Sequence, residues 1–255
     1  MPELILHIPH SSTYFPNKDG FIIDQKTLNE EIQLLTDWHT EDLFESNKDV
    51  SIIALFSRIF CDVERFADDN QEEMAQYGMG VCYETTDDGS KMRNVSSELK
   101  NQILSDHYRP HHRRLEEAVD QQLQKHARAV IIDCHSFTDT PFQRDLNQDP
   151  NRPDIDIGTD SFHTPQKLVD LTRSHFERSG YRVGLNRPYS GTIIPLKHYG
   201  KERNVHSIMI EINRKLYLQE GTSEKNNHYT RIKKTIAEYL DYIREIYLEE
   251  RFEPR

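Results

Sequence analysis

The stretch AVIIDCHSF, Ala129–Phe137, predicts a buried β-strand that leads directly into a histidine and a serine. An earlier stretch, LILHIPHSS (Leu4–Ser12), repeats the pattern, since its apolar run is followed by His10 and two serines. A third apolar run, SIMIEINR (Ser207–Arg214), carries Glu211 near its end. Short apolar runs rich in β-branched residues are typical of buried strands. The question is whether these polar strand ends meet at one site.

Apolar runs and segments of helical periodicity alternate along the chain. Strands are predicted at Leu4–Ile8, Val50–Leu55, Arg58–Val63, Ala129–Cys134, Tyr181–Leu185 and Ser207–Ile212. Helices are predicted at Thr27–Ser46, at Ser97–Lys125 with an interruption or kink at Pro110, at Pro165–Ser179 and at about residues 222–250. Such alternation is typical of an α/β domain whose central sheet, mostly parallel or mixed, is covered by helices.

We therefore predict a single domain over residues 1–255, with the C-terminal helix packed on the sheet. The polar stretches Phe66–Val95 and Thr138–Thr164 are long for connections inside a compact domain. Both stretches are therefore predicted to be functional loops.

The composition excludes several classes of partner. The 255 residues include 32 Lys and Arg against 43 Asp and Glu, a formal net charge of −11, with a mean hydropathy of −0.80. This balance argues against nucleic acid and anionic membranes as partners, because such contacts depend on basic patches. Three widely spaced cysteines, and no apolar run of about 18 residues, predict a cytoplasmic protein without disulfides or a membrane span.

The polar strand ends are compatible with a metal site. Ligands of open α/β sheets bind beyond the carboxyl ends of the strands. The residues at or near predicted strand ends are His10, Asp62, His135 and Glu211. Two neutral imidazoles and one carboxylate, with a fourth position open for water, suit zinc. The alternative is that each histidine only caps its strand.

Spacing does not decide which residue supplies the third ligand. TDWHTED (Thr36–Asp42) offers Asp37, His39 and Glu41 on one predicted helix. His39 falls on the apolar stripe, which also fits a buried, hydrogen-bonded histidine. Asp37 lies off the stripe, which also fits a solvated face. Ligand and structural roles therefore stay open.

Glu211 lies in a run that is otherwise apolar. An ionised carboxylate in such a strand is costly unless it is paired or bound. A salt bridge to Arg214 or Arg58 is one explanation. A glutamate beside a metal site can instead act as a general base that takes a proton from water.

The motif SRIFCDVER (Ser57–Arg65) adds two arginines. The planar guanidinium groups of Arg58 and Arg65 suit bidentate recognition of a substrate carboxylate. Ion pairs with Asp62 or Glu64 are the alternative.

Other motifs argue against further functions, namely a second metal tract, nucleotide binding and a cysteine nucleophile. HYRPHHRR (His107–Arg114) predicts a solvated helix face, with His112 as a lesser candidate for the site. The sequence has no glycine-rich phosphate-binding motif, so nucleotide binding is not expected. Cys134 and His135 are neighbours on a predicted strand and face opposite ways, which argues against a cysteine nucleophile.

The ordered series of motifs resembles the N-formylglutamate amidohydrolase (deformylase) family, from His10 to about Leu218. The matching segments are IPHSS, LLTDWHTEDLF, SRIFCDVER, YRPHH, IIDCHSF, DIDIGTD, NRPYSGTIIPLKHYG and IEINRKLY. The resemblance implies a zinc-dependent hydrolase. It also implies a fold similar to the zinc carboxypeptidases, the phosphorylase/hydrolase-like folds and the aminoacylase-like deacylases.

The resemblance also implies roles for individual residues. The expected metal ligands are His10, Asp37 and His135, and the expected catalytic base is Glu211. For the third ligand, His39 and Glu41 remain alternatives to Asp37. The expected substrate-binding residues are Arg58 and Arg65, which would hold substrate carboxylates, with Asn186, Tyr189 and His198 as further pocket candidates. The expected cofactor is Zn²⁺, although the same ligands accept other divalent ions.

The implied reaction is hydrolysis of a small N-acyl amino acid, N-formyl-L-glutamate, to L-glutamate and formate during histidine degradation. Zinc would polarise the formamide oxygen and acidify a bound water, and Glu211 would carry the proton to the leaving amine. One alternative is a hydrolase of another N-acyl amino acid or a peptide-like amide. A second alternative is a non-catalytic amino-acid-binding protein of the same fold.

Two departures from the family pattern bear on the substrate. Glu64 stands where the family motif D-x-N-R has asparagine, and Thr192 stands where a second glycine usually follows Gly191. A carboxylate at position 64 would repel an acidic substrate unless it were paired. The metal and base residues are intact.

Overall fold

Six strands form one mixed sheet in the computed structural model, which describes residues 2–248. The strands are β1 (Ile5–Ile8), β2 (Val50–Ile53), β3 (Ala129–Phe137), β4 (Ile155–Gly158), β5 (Val183–Leu185) and β6 (Val205–Asn213). Their order across the sheet is β2-β1-β3-β6-β4-β5. Strands β2, β1, β3 and β6 run parallel, and the β4–β5 pair runs antiparallel to β6. The predicted α/β class is therefore confirmed.

Helices cover the sheet. They are α1 (Gln25–Leu35), α2 (Thr40–Leu43), α3 (Ser97–Ile103), α4 (Arg109–His126), α5 (Gln166–Arg178) and α6 (Tyr229–Ile243). The side chains of Asp24 and Ser96 accept hydrogen bonds from the first turns of α1 and α3, as N-cap residues do. Among the described residues, no helix is both long and apolar enough to cross a membrane.

Strand alternation gives the two faces of the sheet different partners. On one face, apolar side chains pack with α5 and α6 in an extended core cluster. The sheet residues of this cluster include Leu6, Ile8, Ile132, Cys134, Ile208, Ile210 and Ile212. On the other face, Ile5 and Ile131 pack with α4 near the start of their strands. The rest of that second face is free for polar groups.

The predicted strand Arg58–Val63 is wrong. The backbone amides of Phe60 and Cys61 both donate to the carbonyl of Ser57, at 3.0 and 3.1 Å, which closes a turn. Ile59 and Phe60 are buried in two different core clusters. The segment is therefore apolar because it inserts between two cores, and its composition imitates that of a strand.

The predicted helix Thr27–Ser46 is interrupted. Helix α1 ends at Leu35, because the amide of Asp37 donates to the carbonyl of His10 at 3.0 Å instead of continuing the helix. His39 then adopts a left-handed conformation with φ of 63° before α2 begins. A tertiary contact thus overrides a local helical pattern and places Asp37 in a loop.

The predicted loop Thr138–Thr164 contains strand β4, which the sequence analysis missed. This strand, IDIG, carries an aspartate and a glycine, residues that are uncommon in strands. It forms because it pairs with β6, with Ile155 opposite Ile212. Phe66–Val95, by contrast, contains a short 3₁₀ helix (Glu73–Tyr77) and isolated bridges, as expected of a loop.

Each of the two long predicted helices contains a π-helical turn. A π-helical turn, Leu104–Tyr108, separates α3 from α4, and Pro110 lies just after it in the first turn of α4, where its missing N–H costs little. The C-terminal helix begins at Tyr229 rather than near residue 222, continues as a π-helical turn (Arg244–Leu248) and packs on the sheet. Residues 249 and 250 of that prediction lie outside the described residues. The extent of the domain, residues 1–255, remains our proposal.

Candidate active site

Strand register gathers polar side chains on the free face of the sheet. His135 on β3 is the register partner of Glu211 on β6, and Asp133 on β3 is the partner of His7 on β1. Residues two apart in a strand share a face, so Asp133 and His135 project to the same side. Asp156 on β4 lies opposite Glu211 and extends this polar face.

His10, Asp37 and His135 form a first group of histidine and carboxylate side chains. Each is buried, and their ligand atoms all lie within 4.8 Å of one another. Asp37 Oδ2 is 3.2 Å from His135 Nδ1 and 3.6 Å from His10 Nδ1. His10 Nδ1 is buried without a hydrogen-bond partner among the described residues. The first group therefore offers two imidazole nitrogens and a carboxylate oxygen close together, and one of these nitrogens has no partner among the described residues. Such a set fits a divalent cation such as zinc.

In both histidines of the first group, the second ring nitrogen lies within hydrogen-bond distance of a carboxylate. His10 Nε2 is 2.8 Å from Asp62 Oδ1, and His135 Nε2 is 3.1 Å from Asp133 Oδ1. When a carboxylate accepts the Nε2–H proton, it leaves Nδ1 as the lone-pair nitrogen that a metal requires. Asp62 therefore lies at the site although the strand predicted to carry it is absent.

Asp37 is held as a carboxylate. Arg214 Nη2 donates to Asp37 Oδ1 at 2.8 Å. Burial alone would raise the pKa of Asp37, but the hydrogen bonds from His10 and His135 and the charge of Arg214 hold it well below its usual value. An ionised oxygen is thus available at the first group.

The structure brings Asp37, rather than the other two candidates for third ligand, to the histidine pair. His39 Nε2 is 2.8 Å from the carbonyl of Ser223. Glu41 is exposed on α2. Neither belongs to the first group.

Glu211 lies beside the first group, and few contacts compensate for burial of its carboxylate. It is 6% exposed, and its Oε2 atom is buried with no hydrogen-bond partner in the part of the chain that the structure describes. Burial raises the pKa of Glu211 to about 8, opposed by the charge of His135 and reinforced by Asp37. The salt bridge allowed by the sequence does not form among the described residues, because Arg214 pairs with Asp37 and Arg58 with Asp62.

A cavity of about 450 Å³ opens over these groups and contains His10, Asp37, His135 and Glu211 in its walls. The arginines in its walls are Arg58, Arg65, Arg144 and Arg214. A larger groove, of about 1240 Å³, also borders Arg214 but contains neither histidine of the first group. The smaller cavity is therefore the candidate active site.

The cavity-lining arginines differ in how far they are used within the protein. Arg58 Nη2 donates to Asp62 at 3.0 Å, and its Nε donates to Tyr83 Oη at 3.2 Å. Within residues 2–248, Arg65 forms a hydrogen bond through Nε alone, which donates to the carbonyl of Met79 at 3.3 Å. The end of the Arg65 guanidinium group thus has donors left for a ligand.

Of the three further pocket candidates, the structure brings one to the cavity. Tyr189 lies in its wall, with its hydroxyl 3.0 Å from Asp145. Asn186 bonds instead to Thr159, and His198 lies outside the cavity walls, 2.9 Å from an aspartate of α4.

Two buried residues at the site, His7 and Asp133, were missed in the sequence. His7 Nδ1 is 2.8 Å from Asp133 Oδ1, and His7 Nε2 is 2.9 Å from His111 Nε2. The missed signal was strand alternation, since Asp133 precedes His135 by two residues and His7 interrupts an apolar strand. The predicted solvated face of His107–Arg114 is wrong at His111, which is 3% exposed because it packs on His7.

His112, the lesser candidate, packs its ring on Tyr108 and lies outside the cavity walls. Its neighbour on the helix, and not His112 itself, makes the contact with the site.

Comparison with known proteins shows which family and which fold the chain resembles. A family model described as N-formylglutamate amidohydrolase matches residues 2–218. N-formylglutamate deformylase of Pseudomonas aeruginosa is 25% identical over 230 residues, which cover 85% of this chain and 82% of that protein. The crystal structure of N-formylglutamate amidohydrolase from Ralstonia eutropha JMP134 matches with a TM-score of 0.83 at 25% identity, covering 96% of this chain and 93% of that one.

A second solved structure, a gene product of Agrobacterium tumefaciens, matches with a TM-score of 0.65 at 17% identity. It covers 95% of this chain and 91% of that chain. At this identity the likeness shows a shared fold and nothing further.

Proposed function

The chain belongs to the N-formylglutamate amidohydrolase family, and from this premise we propose that it hydrolyses N-formyl-L-glutamate to L-glutamate and formate. The proposal includes a divalent metal cofactor, with Zn²⁺ as the expected ion, and a cytoplasmic role in histidine degradation. The proposed ligand is a small N-acyl amino acid, and no nucleic acid or membrane is a proposed partner. One observation carries the proposal: a buried, uncompensated glutamate lies beside a histidine–carboxylate group at one cavity.

His10, Asp37 and His135 are the proposed metal ligands, through His10 Nδ1, Asp37 Oδ2 and His135 Nδ1. This choice is supported by their spacing and by the unused His10 nitrogen. A bound divalent ion would supply a Lewis acid that polarises the formyl carbonyl and eases deprotonation of water. Asp62 and Asp133 would fix the two imidazoles in the tautomer that exposes Nδ1.

Glu211 is the proposed general base. Its unpartnered Oε2 takes a proton from the attacking water, and the resulting carboxylic acid then gives that proton to the departing amine nitrogen. A base works best when its pKa lies near the working pH. The pKa of about 8 that burial gives Glu211 suits both halves of this transfer.

Arg65 and Arg58 are the proposed carboxylate-binding groups. Both lie in the cavity wall. Arg65 bonds to Met79, and Arg58 bonds to Tyr83 and Asp62, so their other N–H groups are available to a substrate. A guanidinium group binds a carboxylate through two parallel hydrogen bonds, which fixes orientation as well as affinity. Tyr189 is a further proposed contact, while Asn186 and His198, which do not line the cavity, are not among the proposed contacts.

Formate release from N-formyl-L-glutamate tests the proposal. The assay compares zinc-loaded protein, chelator-treated protein, and treated protein reloaded with zinc. We expect turnover that is lost on chelation and recovered on reloading. N-acetyl-L-glutamate and N-formyl-L-glutamine, run in parallel, separate selection of the acyl group from selection of the side-chain charge. No formate from a folded, zinc-containing sample would contradict the proposed substrate.

A further inference from the structure

Glu64, which replaces the family asparagine, lies at the cavity as a paired carboxylate, not as the free charge that would repel an acidic substrate. Its side chain is 14% exposed and lies in the cavity wall. Its Oε2 atom is 3.1 Å from His135 Nε2, and its Oε1 atom is 3.5 Å from His7 Nδ1. The carboxylate is therefore paired with two histidines, and among the described residues neither Arg58 nor Arg65 pairs with it.

His7 is placed between two carboxylates. It is fully buried, with Nδ1 2.8 Å from Asp133 and 3.5 Å from Glu64. A buried carboxylate and a largely buried one this close are costly without a positive charge between them. Burial alone would lower the pKa of His7, but the hydrogen bonds to Asp133 and Glu64 raise it to about 9.

His111 completes the arrangement. Burial, together with the charge of His7, lowers the pKa of His111 to about 2, so this ring is neutral. Its Nε2 atom accepts the Nε2–H proton of His7 at 2.9 Å. Both ring nitrogens of His7 therefore donate hydrogen bonds, which is the bonding pattern of an imidazolium.

His7, Glu64 and Asp133 form a second group, whose ligand atoms also lie within 4.8 Å of one another. Unlike the first group, it leaves no histidine nitrogen unused. His7 Nδ1 bonds to Asp133, and the Nε2–H of His135 faces oxygens of both Asp133 and Glu64 at 3.1 Å. Protons already occupy the positions that a cation would need.

We propose that His7 and Glu64 act as an interdependent pair, in which His7 neutralises Glu64 so that Glu64 can support His135 without repelling an acidic substrate. Glu64 is thus a positioning residue that acts through His135, together with Asp133. The proposal rests on the proposed function for the charge of the substrate and for the role of His135 as a metal ligand. It also removes the reason to expect a different substrate from the Glu64 substitution alone.

The test is a cycle of His7→Gln, Glu64→Gln and the double variant, with His39→Gln as a control histidine bonded elsewhere. Loss of His7 leaves two carboxylates beside the cavity, so KM for N-formyl-L-glutamate should rise roughly 10-fold or more, with a smaller change in kcat. Adding Glu64→Gln should bring KM back towards the wild-type value. Glu64→Gln alone should weaken zinc affinity roughly 10-fold, as loss of an outer hydrogen-bond partner does.

Two readouts need no substrate and separate this proposal from the proposed function. Zinc affinity is measured by chelator competition. Thermal unfolding is measured for the wild type, the three variants of the cycle and the His39→Gln control. The double variant should unfold at a higher temperature than His7→Gln, and a His7→Gln chain that fails to fold while the double variant folds supports the pair equally. Additive effects across the cycle, or two zinc ions per wild-type chain, would overturn it.

Discussion

The first group, His10, Asp37 and His135, and the second group, His7, Glu64 and Asp133, lie side by side on one face of the sheet. Both combine histidine with carboxylate at similar spacing. In the first group, His10 Nδ1 is buried and unused. In the second, His7 Nδ1 is hydrogen-bonded to Asp133 at 2.8 Å. Residue type and distance are alike in the two groups, and the unused His10 nitrogen, among the described residues, is what distinguishes the proposed metal site from the proposed proton network.

The two groups are also connected. His135 directs Nδ1 to Asp37 in the first group and Nε2 to Asp133 and Glu64 in the second. A change in the hydrogen bonds of the second group is therefore expected to alter the orientation of His135 in the first group. The expected consequences range from loss of catalysis to a small change in stability.

The largest effect is expected at Glu211, which belongs to neither group. Glu211→Gln removes the proposed base but keeps the size of the side chain. We expect kcat to fall roughly 10²- to 10⁴-fold, the usual contribution of general acid–base catalysis. Zinc content should be unchanged. Full turnover by a folded Glu211→Gln protein would eliminate the assigned role.

A smaller effect separates the two groups by metal affinity. His10→Gln removes a proposed ligand, and its zinc affinity should fall by more than the roughly 10- to 100-fold that loss of an outer partner costs. His7→Gln should stay within that smaller range. Chelator competition measures both proteins. Equal losses in the two variants would erase the distinction between the groups.

A third effect is expected at Arg65, the proposed carboxylate-binding residue in the cavity wall. Arg65→Gln removes the guanidinium donors that the protein itself leaves unused. KM for N-formyl-L-glutamate should rise roughly 10- to 100-fold with little change in kcat, because a charged hydrogen bond contributes about 1.5–3 kcal/mol. Arg178→Gln, on the far helix α5, serves as the charge-matched control. An unchanged KM in Arg65→Gln would assign the clamp elsewhere.

The smallest effect is expected at Glu31, a buried carboxylate outside both groups, and it concerns the dependence of stability on pH. Burial raises the pKa of Glu31 from 4.5 to about 7. A raised pKa means that the folded state holds the proton more tightly, so this contribution to stability is complete below pH 4.5 and is lost as the pH rises to about 7. Glu31→Gln should therefore gain more in melting temperature over the wild type at pH 8 than at pH 5. The same difference at both pH values would contradict the shift.

The sequence was sufficient to predict the class of fold and the approach of His10, His135 and Glu211. Parallel strands present their carboxyl ends to one edge, so polar residues at those ends meet without knowledge of the strand order. Periodicity could not predict the position of Asp37, because a tertiary hydrogen bond to His10 ends a helix whose local pattern continues.

His7 and Asp133 were not recognised because they lie inside strands rather than at their ends. Their roles depend on register, which pairs His7 with Asp133 across β1 and β3. Strand β4 was missed for a related reason, since its pairing with β6 compensates for a sequence of low strand propensity. Local sequence predicts what a segment prefers, and these elements form through their long-range partners.

The most direct test of the account is a zinc-edge anomalous difference map from crystals of the wild-type protein soaked in zinc. The account predicts one strong peak between His10 Nδ1, Asp37 Oδ2 and His135 Nδ1, and no peak between His7, Glu64 and Asp133. A peak in the second group, or a first group that stays empty in a zinc-saturated crystal, would contradict it.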